Sequence, residues 1–135
     1  PLGVLREMKR VCGPGGRVAV ADVVASPDPA KAAAFNRMER LRDASHVRGM
    51  PLSELIELFS RAGLGEPRKT FYDFAVEVDG LLEHSFPEPG NIPVIRRMFE
   101  DSLRDDGLGM RSRRDGGTIR CVYPIAILVA ERARN

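Results

Sequence analysis

"RVCGPGGRVAVAD", Arg10 to Asp22, sets three glycines and a proline between a helix-like stretch and a strand-like run. A glycine loop that cradles a phosphate follows a strand and opens a helix, so that free N–H groups and the positive dipole end face the anion. Here the order is reversed. Leu2, Leu5, Met8, Val11 and Cys12 recur at helical spacing before the glycines, and Val18-Ala19-Val20-Ala21 follows them. The loop is therefore flanked by helix carbonyls, which repel anions, and GPGG lacks the GxGxxG spacing. The stretch reads as a hard turn between helix and strand.

Outward from that turn, the Val-rich run is short and without polar alternation before Asp22, which predicts a strand buried on both faces, as in a parallel sheet. Ser26-Pro27-Asp28-Pro29 is a turn and helix start, with Asp28 as cap and Pro29 in the first helical position. That helix is expected to run to about Arg42 with Phe35, Met38 and Leu41 inward. Asp43 to Gly49 reads as loop or short helix, and Leu52, Leu55, Ile56, Phe59 and Ala62 as a helix ended by Gly63. Thr70–Val78 reads as a strand, Asp79–His84 as a short helix, and Ile92, Ile95, Met98, Phe99 and Leu103 as a helical stripe. Asp115-Gly116-Gly117 is a turn before a last strand, Thr118–Glu131, in which Pro124 predicts a bulge or a strand start. Alternating helices and strands make this an α/β chain.

The bulk composition narrows the function. The chain of 135 residues has the size of one domain, with 43% hydrophobic residues and a formal net charge of +2. So small a basic excess argues against a nucleic-acid partner. The cluster "RSRRDGG", Arg111 to Gly117, reads as a solvated hairpin loop. No apolar run is long enough for a membrane span and no leader pattern opens the chain, so no membrane partner is expected. Two cysteines, Cys12 and Cys121, make no disulfide framework and read as buried thiols in a reducing cytoplasm. Two histidines and two distant cysteines give no metal-ligand cluster.

Two longer stretches carry a resemblance. "VLREMKRVCGPGGRVAVADVV", Val4 to Val24, resembles the fourth-helix-to-fifth-strand segment of class I S-adenosylmethionine-dependent methyltransferases. More narrowly, it is similar to the methyltransferase type 11 group, related to ubiquinone/menaquinone biosynthesis enzymes. Cys12-Gly13 stands where that group commonly has Leu and a basic residue. "RLRDASHVRGMPLSELIELFSRAGL", Arg40 to Leu64, resembles the RDPSHVR-type segment of a bacterial subgroup, with Ala44 in place of the usual Pro.

The resemblance implies the C-terminal half of a Rossmann-like sheet: strands five, six and seven with flanking helices, the last strand antiparallel and between the other two. It implies S-adenosylmethionine as cofactor and a small-molecule methyl acceptor. In that family the cofactor is held by a glycine-rich loop after strand one and an acidic residue ending strand two. Neither occurs here, so residues 1–135 read as a partial domain lacking the cofactor-binding half, with no cofactor-binding residue in this chain. Whether the chain is itself an enzyme stays open. The alternative is a non-catalytic half-domain that folds by self-association and binds no cofactor.

The candidate site residues follow. Asp22, read as ending the buried strand, is either a substrate-facing base or a carboxylate closing a local turn, the turn being the better reading. His46 could act as a base oriented by Asp43, or belong to a lid over the acceptor, where the resemblance places Arg42, Asp43 and His46. His84, with Phe71 and other aromatics nearby, could line an acceptor pocket, although aromatics at this density are more often core. Finally, a strand at Arg17–Val24 without its neighbour would leave a bare edge with Val18, Val20 and Val23 along it. That predicts a homo-oligomer covering this edge.

Overall fold

The computed structural model describes residues 1–134. Its elements are α1 (Leu2–Val11), β1 (Arg17–Ala25), α2 (Pro29–Arg42), β2 (Met50–Pro51), α3 (Leu52–Arg61), β3 (Arg68–Glu77), α4 (Val78–Glu83), α5 (Ile92–Asp105), β4 (Arg113–Asp115) and β5 (Thr118–Glu131). A 3-10 turn at Pro89–Asn91 precedes α5.

The sheet order is β2-β1-β5-β3, with β4 paired to the start of β5. β5 runs antiparallel to both long neighbours, Ala21 lying opposite Ile127 and Phe74 opposite Tyr123. The parallel surroundings read from the Val-rich run are thus corrected. Among the described residues β1 has one long antiparallel partner, and its only parallel pairing is Val24 and Ala25 with β2.

Side chains alternate between two faces. Val18, Val20 and Val24 with Ala126, Leu128 and Ala130 meet α1 and α3 through Leu5, Leu55, Leu58 and Phe59. Val23 and Ala25 with Cys121 and Tyr123 meet α2, α4 and α5 through Phe35, Met38, Leu82, Ile95 and Phe99. The second face is covered only at that end. Ala19 and Ala21 stay exposed, so β1 is not buried on both faces as expected.

The opening turn is a turn. The amide of Gly16 donates to the Gly13 carbonyl at 2.8 Å, and Gly15 takes a φ of 76°. A Cβ on Gly16 would stand 2.8 Å from the Gly13 oxygen, so glycine is required for the close approach. The end of α1 attracts a cation: the guanidinium of Arg132 donates to the carbonyls of Lys9 (3.1 Å), Arg10 (3.2 Å) and Cys12 (2.5 Å). Its backbone joins in, since Gly15 donates to Arg132 and Arg132 to Gly16, each at 2.8 Å. Carbonyls left over at a helix C-terminus, at the negative dipole end, call for such a donor.

Other expectations shift by small amounts. Pro124 makes no bulge: the ladder with β3 runs through it, while that with β1 ends one residue away, at Ile125, as β1 departs toward β2. The missing donor thus falls where a partner strand leaves. The segment after α2 forms no helix, and β2 follows it unforeseen. Val18 and Val20 are covered by helices, because the edge of a strand is its backbone and its side chains point to the faces. From Arg17 to Val23 that backbone edge has no strand beside it among the described residues. Among the same residues, no helix is long and apolar enough to cross a membrane.

Candidate functional site

α2 borders one cleft directly and reaches the segment around Ser85 through Arg42, and its sequence explains why. Asp28 caps its start, the carboxylate accepting from the amides of Ala30 (2.8 Å) and Lys31 (3.4 Å), with Pro29 preset for the first turn. The buried stripe then contains two polar residues, Asn36 and Glu39, beside Phe35 and Met38. Each polar residue anchors one side.

Asn36 clamps the strap between α2 and α3. Its amide nitrogen donates to the carbonyls of Ala32 (2.9 Å) and Gly49 (3.1 Å), and its oxygen accepts from the Gly49 amide (2.6 Å). That orientation leaves only one role for His46, whose Nε2 lies 2.8 Å from the same oxygen. Nε2 must be the donor, and Nδ1 is the ring nitrogen without a partner among the described residues. The His46 ring stands edge-on to Phe35, centroids 6.3 Å apart. A Cβ on Gly49 would come within 2.8 Å of the Phe35 ring, so the strap passes where only glycine fits. Arg48 pairs with Glu54 across to α3. These groups wall a cleft of about 400 Å³ just beyond the carboxyl end of β1, lined by Ser26, Pro27, Ala32, Asn36, Arg40 and Gly49. Open α/β sheets bind ligands beyond the carboxyl ends of their strands.

Glu39 anchors the other side. It accepts from the Tyr123 hydroxyl at 2.7 Å and from Arg42 through Nε (3.0 Å) and Nη2 (2.6 Å). Burial, then the Glu39 charge, pushes the Tyr123 phenol well above its usual range. The bond from Arg42 to Glu39 holds the guanidinium ever more firmly charged. Arg42 also donates to Ser85 Oγ at 2.9 Å, which in turn donates to the Leu81 carbonyl. Asp43 turns outward, where bonds from the Ser45 hydroxyl and amide hold its carboxyl below the usual range.

The sequence-derived candidates are therefore dispersed. Arg42 and Asp43 gather near Ser85, beside His84. His46 reaches the first cleft through Asn36. Asp22 lies in mid-strand, since β1 continues to Ala25, and its Oδ1 accepts from the Val23 amide at 2.8 Å. It borders a cavity of about 170 Å³ among Leu5, Met8, Val20, Met50 and Phe59, on the α1 and α3 face. Phe71 pairs with Ala126 on that same face and so points away from His84, while its neighbours Tyr72 and Phe74 share the other face. Asn36, Glu39 and Tyr123 were missed. Polar residues one helical turn apart on an apolar stripe were the available signal for the first two.

Comparison with known proteins adds the fold relationship. No protein-family model matches the chain. It is similar to the uncharacterized protein YafE of Escherichia coli K12, 40% identical over 101 residues that span 75% of this chain and 43% of YafE. In structure it is similar to YcgJ of Bacillus subtilis, with a TM-score of 0.82 at 21% identity over 99% of this chain and 58% of YcgJ. It is also similar to BH2331 of Bacillus halodurans, a proposed methyltransferase, with a TM-score of 0.85 at 15% identity over 98% of this chain and 63% of that one. The fold is methyltransferase-like. The chain spans less than half of YafE and about three-fifths of each solved structure. Its sheet is the Rossmann-like half expected, the last strand antiparallel between the other two.

Proposed function

We propose that this chain is the acceptor-side part of an S-adenosylmethionine-dependent methyltransferase of the type 11 group, acting on a small molecule in the cytoplasm. The supporting observation is the roomy cleft beyond the carboxyl end of β1, walled by a strap that Asn36 and His46 pin in place. Methyl transfer asks a protein mainly for placement of the acceptor atom, which a rigid wall provides.

The residues present do not fit the cofactor itself. The helix N-terminus that follows β1 is closed by the Asp28 carboxylate, and the Gly13–Gly16 turn is taken up with the end of α1 and Arg132. On this reading the cofactor is held by a further polypeptide segment, the cleft lined by Asn36, Arg40 and Gly49 orients the acceptor, His46 steadies that wall through Asn36, and Arg42 and Asp43 shape the neighbouring segment around Ser85. The backbone edge at Arg17–Val23 is where such a segment would pair. When nothing else supplies it, a second copy of the chain covers it, and sedimentation showing a monomer at micromolar concentration overturns that arrangement.

The test is calorimetry with S-adenosylhomocysteine. The chain alone is expected to give no heat at millimolar ligand. A chimera in which this chain replaces the matching segment of YafE is expected to bind saturably. A folded chimera without binding, beside an intact YafE that binds, refutes the methyltransferase reading and favours a non-catalytic half-domain. Saturable binding by the chain alone refutes the placement of the cofactor.

A further inference from the structure

β3 and α4 border a second, open cleft of about 460 Å³, with Phe74, Val76, Gly80, Leu81 and His84 in its lining. Its volume falls within the range of small-molecule sites, roughly 300–1,000 Å³. The geometry points to a binding site for a flat, mainly apolar small molecule that carries one hydroxyl or N–H donor.

Three independent observations carry this. The walls are apolar and available, Phe74 being 49% exposed. Among the polar side chains of the lining, Glu77 and Ser85 already have partners and His84 keeps one ring nitrogen unbonded. Glu77 accepts from Arg120, and Ser85 is bonded to Arg42 and Leu81. His84 Nδ1 lies 2.8 Å from the Gly80 carbonyl, and a carbonyl only accepts. Nδ1 therefore carries the proton of the neutral ring, and Nε2, unbonded among the described residues, presents a lone pair. The same Gly80 carbonyl also accepts the His84 amide at 3.1 Å, which steadies the ring. A donor on the ligand completes it, while an anion would meet a lone pair and the Glu77 carboxylate.

The third observation is Gly80. It sits inside the six-residue α4, where glycine is a poor helix former. Its φ is not left-handed, and a Cβ there would meet nothing within 4 Å. Neither backbone conformation nor a close neighbour requires glycine, and what its missing side chain leaves open is the cleft.

This site stands whether or not the chain takes part in methyl transfer. The experiment is an NMR titration of the whole chain with 2-naphthol and with 2-methoxynaphthalene, which has the same rings but no donor. 2-Naphthol is expected to shift His84 Nε2 and the Gly80 amide saturably and leave His46 unmoved. The methoxy compound should bind about tenfold more weakly, the worth of one hydrogen bond. Gly80→Leu, whose Cβ has open space and which favours the helix, should keep the fold and weaken 2-naphthol binding at least about tenfold by occupying the cleft. His84→Ala should erase the preference between the probes. Equal binding of both probes by the wild type, or unchanged binding by folded Gly80→Leu, overturns the proposal.

Discussion

Replacing Asn36 with alanine tests the strap directly. The side chain is 7% exposed and serves both backbone groups of Gly49 as well as His46 Nε2. Ala32 keeps its helical partner without it, and His46 is half-buried and can turn to water. The cost therefore concentrates on the Gly49 N–H and C=O. A buried polar group left without a partner costs about 1–3 kcal/mol, and Gly49 is half-buried at the edge of the cleft, so Asn36→Ala should lose about 1–3 kcal/mol. That is a large share of a typical stability of about 5–15 kcal/mol. His46→Ala, which removes one bond, should lose about 1 kcal/mol. Asn36→Asp should be no better than alanine, since it turns an oxygen toward the carbonyls of Ala32 and Gly49 in place of the donor. Urea unfolding gives the free energies, and hydrogen exchange at the Gly49 amide reports the strap locally. An Asn36→Ala loss below about 1 kcal/mol, with Gly49 exchange unchanged, would refute the assignment of the clamp.

Two further outcomes are expected. Glu39→Ala leaves the guanidinium of Arg42 and the hydroxyl of Tyr123 facing each other without their acceptor, and should cost about 3–5 kcal/mol in urea unfolding, against about 1–2 kcal/mol for Tyr123→Phe; equal losses would show that the ion pair is dispensable. The Cys121 thiol is pushed up by burial from 9.0 to about 12. A raised value means its contribution is complete below 9.0 and is lost as pH climbs toward about 12, because the unfolded chain sheds the proton first. Between about pH 8 and about pH 10 the loss should be about 1.4 kcal/mol, a slope that Cys121→Ala removes.

The skeleton was legible because its signals are local. Pro29 and Asp28 mark a helix start, Gly63 a stop, and Asp115-Gly116-Gly117 a hairpin, and each sits where those residues place it. The polarity argument around Gly13–Gly16 needed nothing but chain order. The sites were less legible because they depend on distant residues. Glu39 meets Tyr123 from across the fold, and β2 contains a proline that argues against any strand. Asp22 was read as a strand end because hydrophobicity pauses there, yet the backbone ladder continues through an exposed charge. Phe71 and His84 seemed neighbours in a run of aromatics, but the two-residue period of a strand sends Phe71 to the opposite face.

The antiparallel strand in the middle of the sheet also shapes how the chain acquires its structure. β1 and β3 do not touch; each waits for β5, and Arg17 finds Glu131 only after nearly everything between them has been made. Such long-range pairing is slow, because the closure entropy is spent before any contact returns it. During synthesis α1 and α3 can pack on β1 early, while the slot between β1 and β3 stays vacant with two unpaired edges. Aggregation of a nascent chain stalled before Thr118 is thus the outcome expected from strand order, independent of the stability of the finished fold.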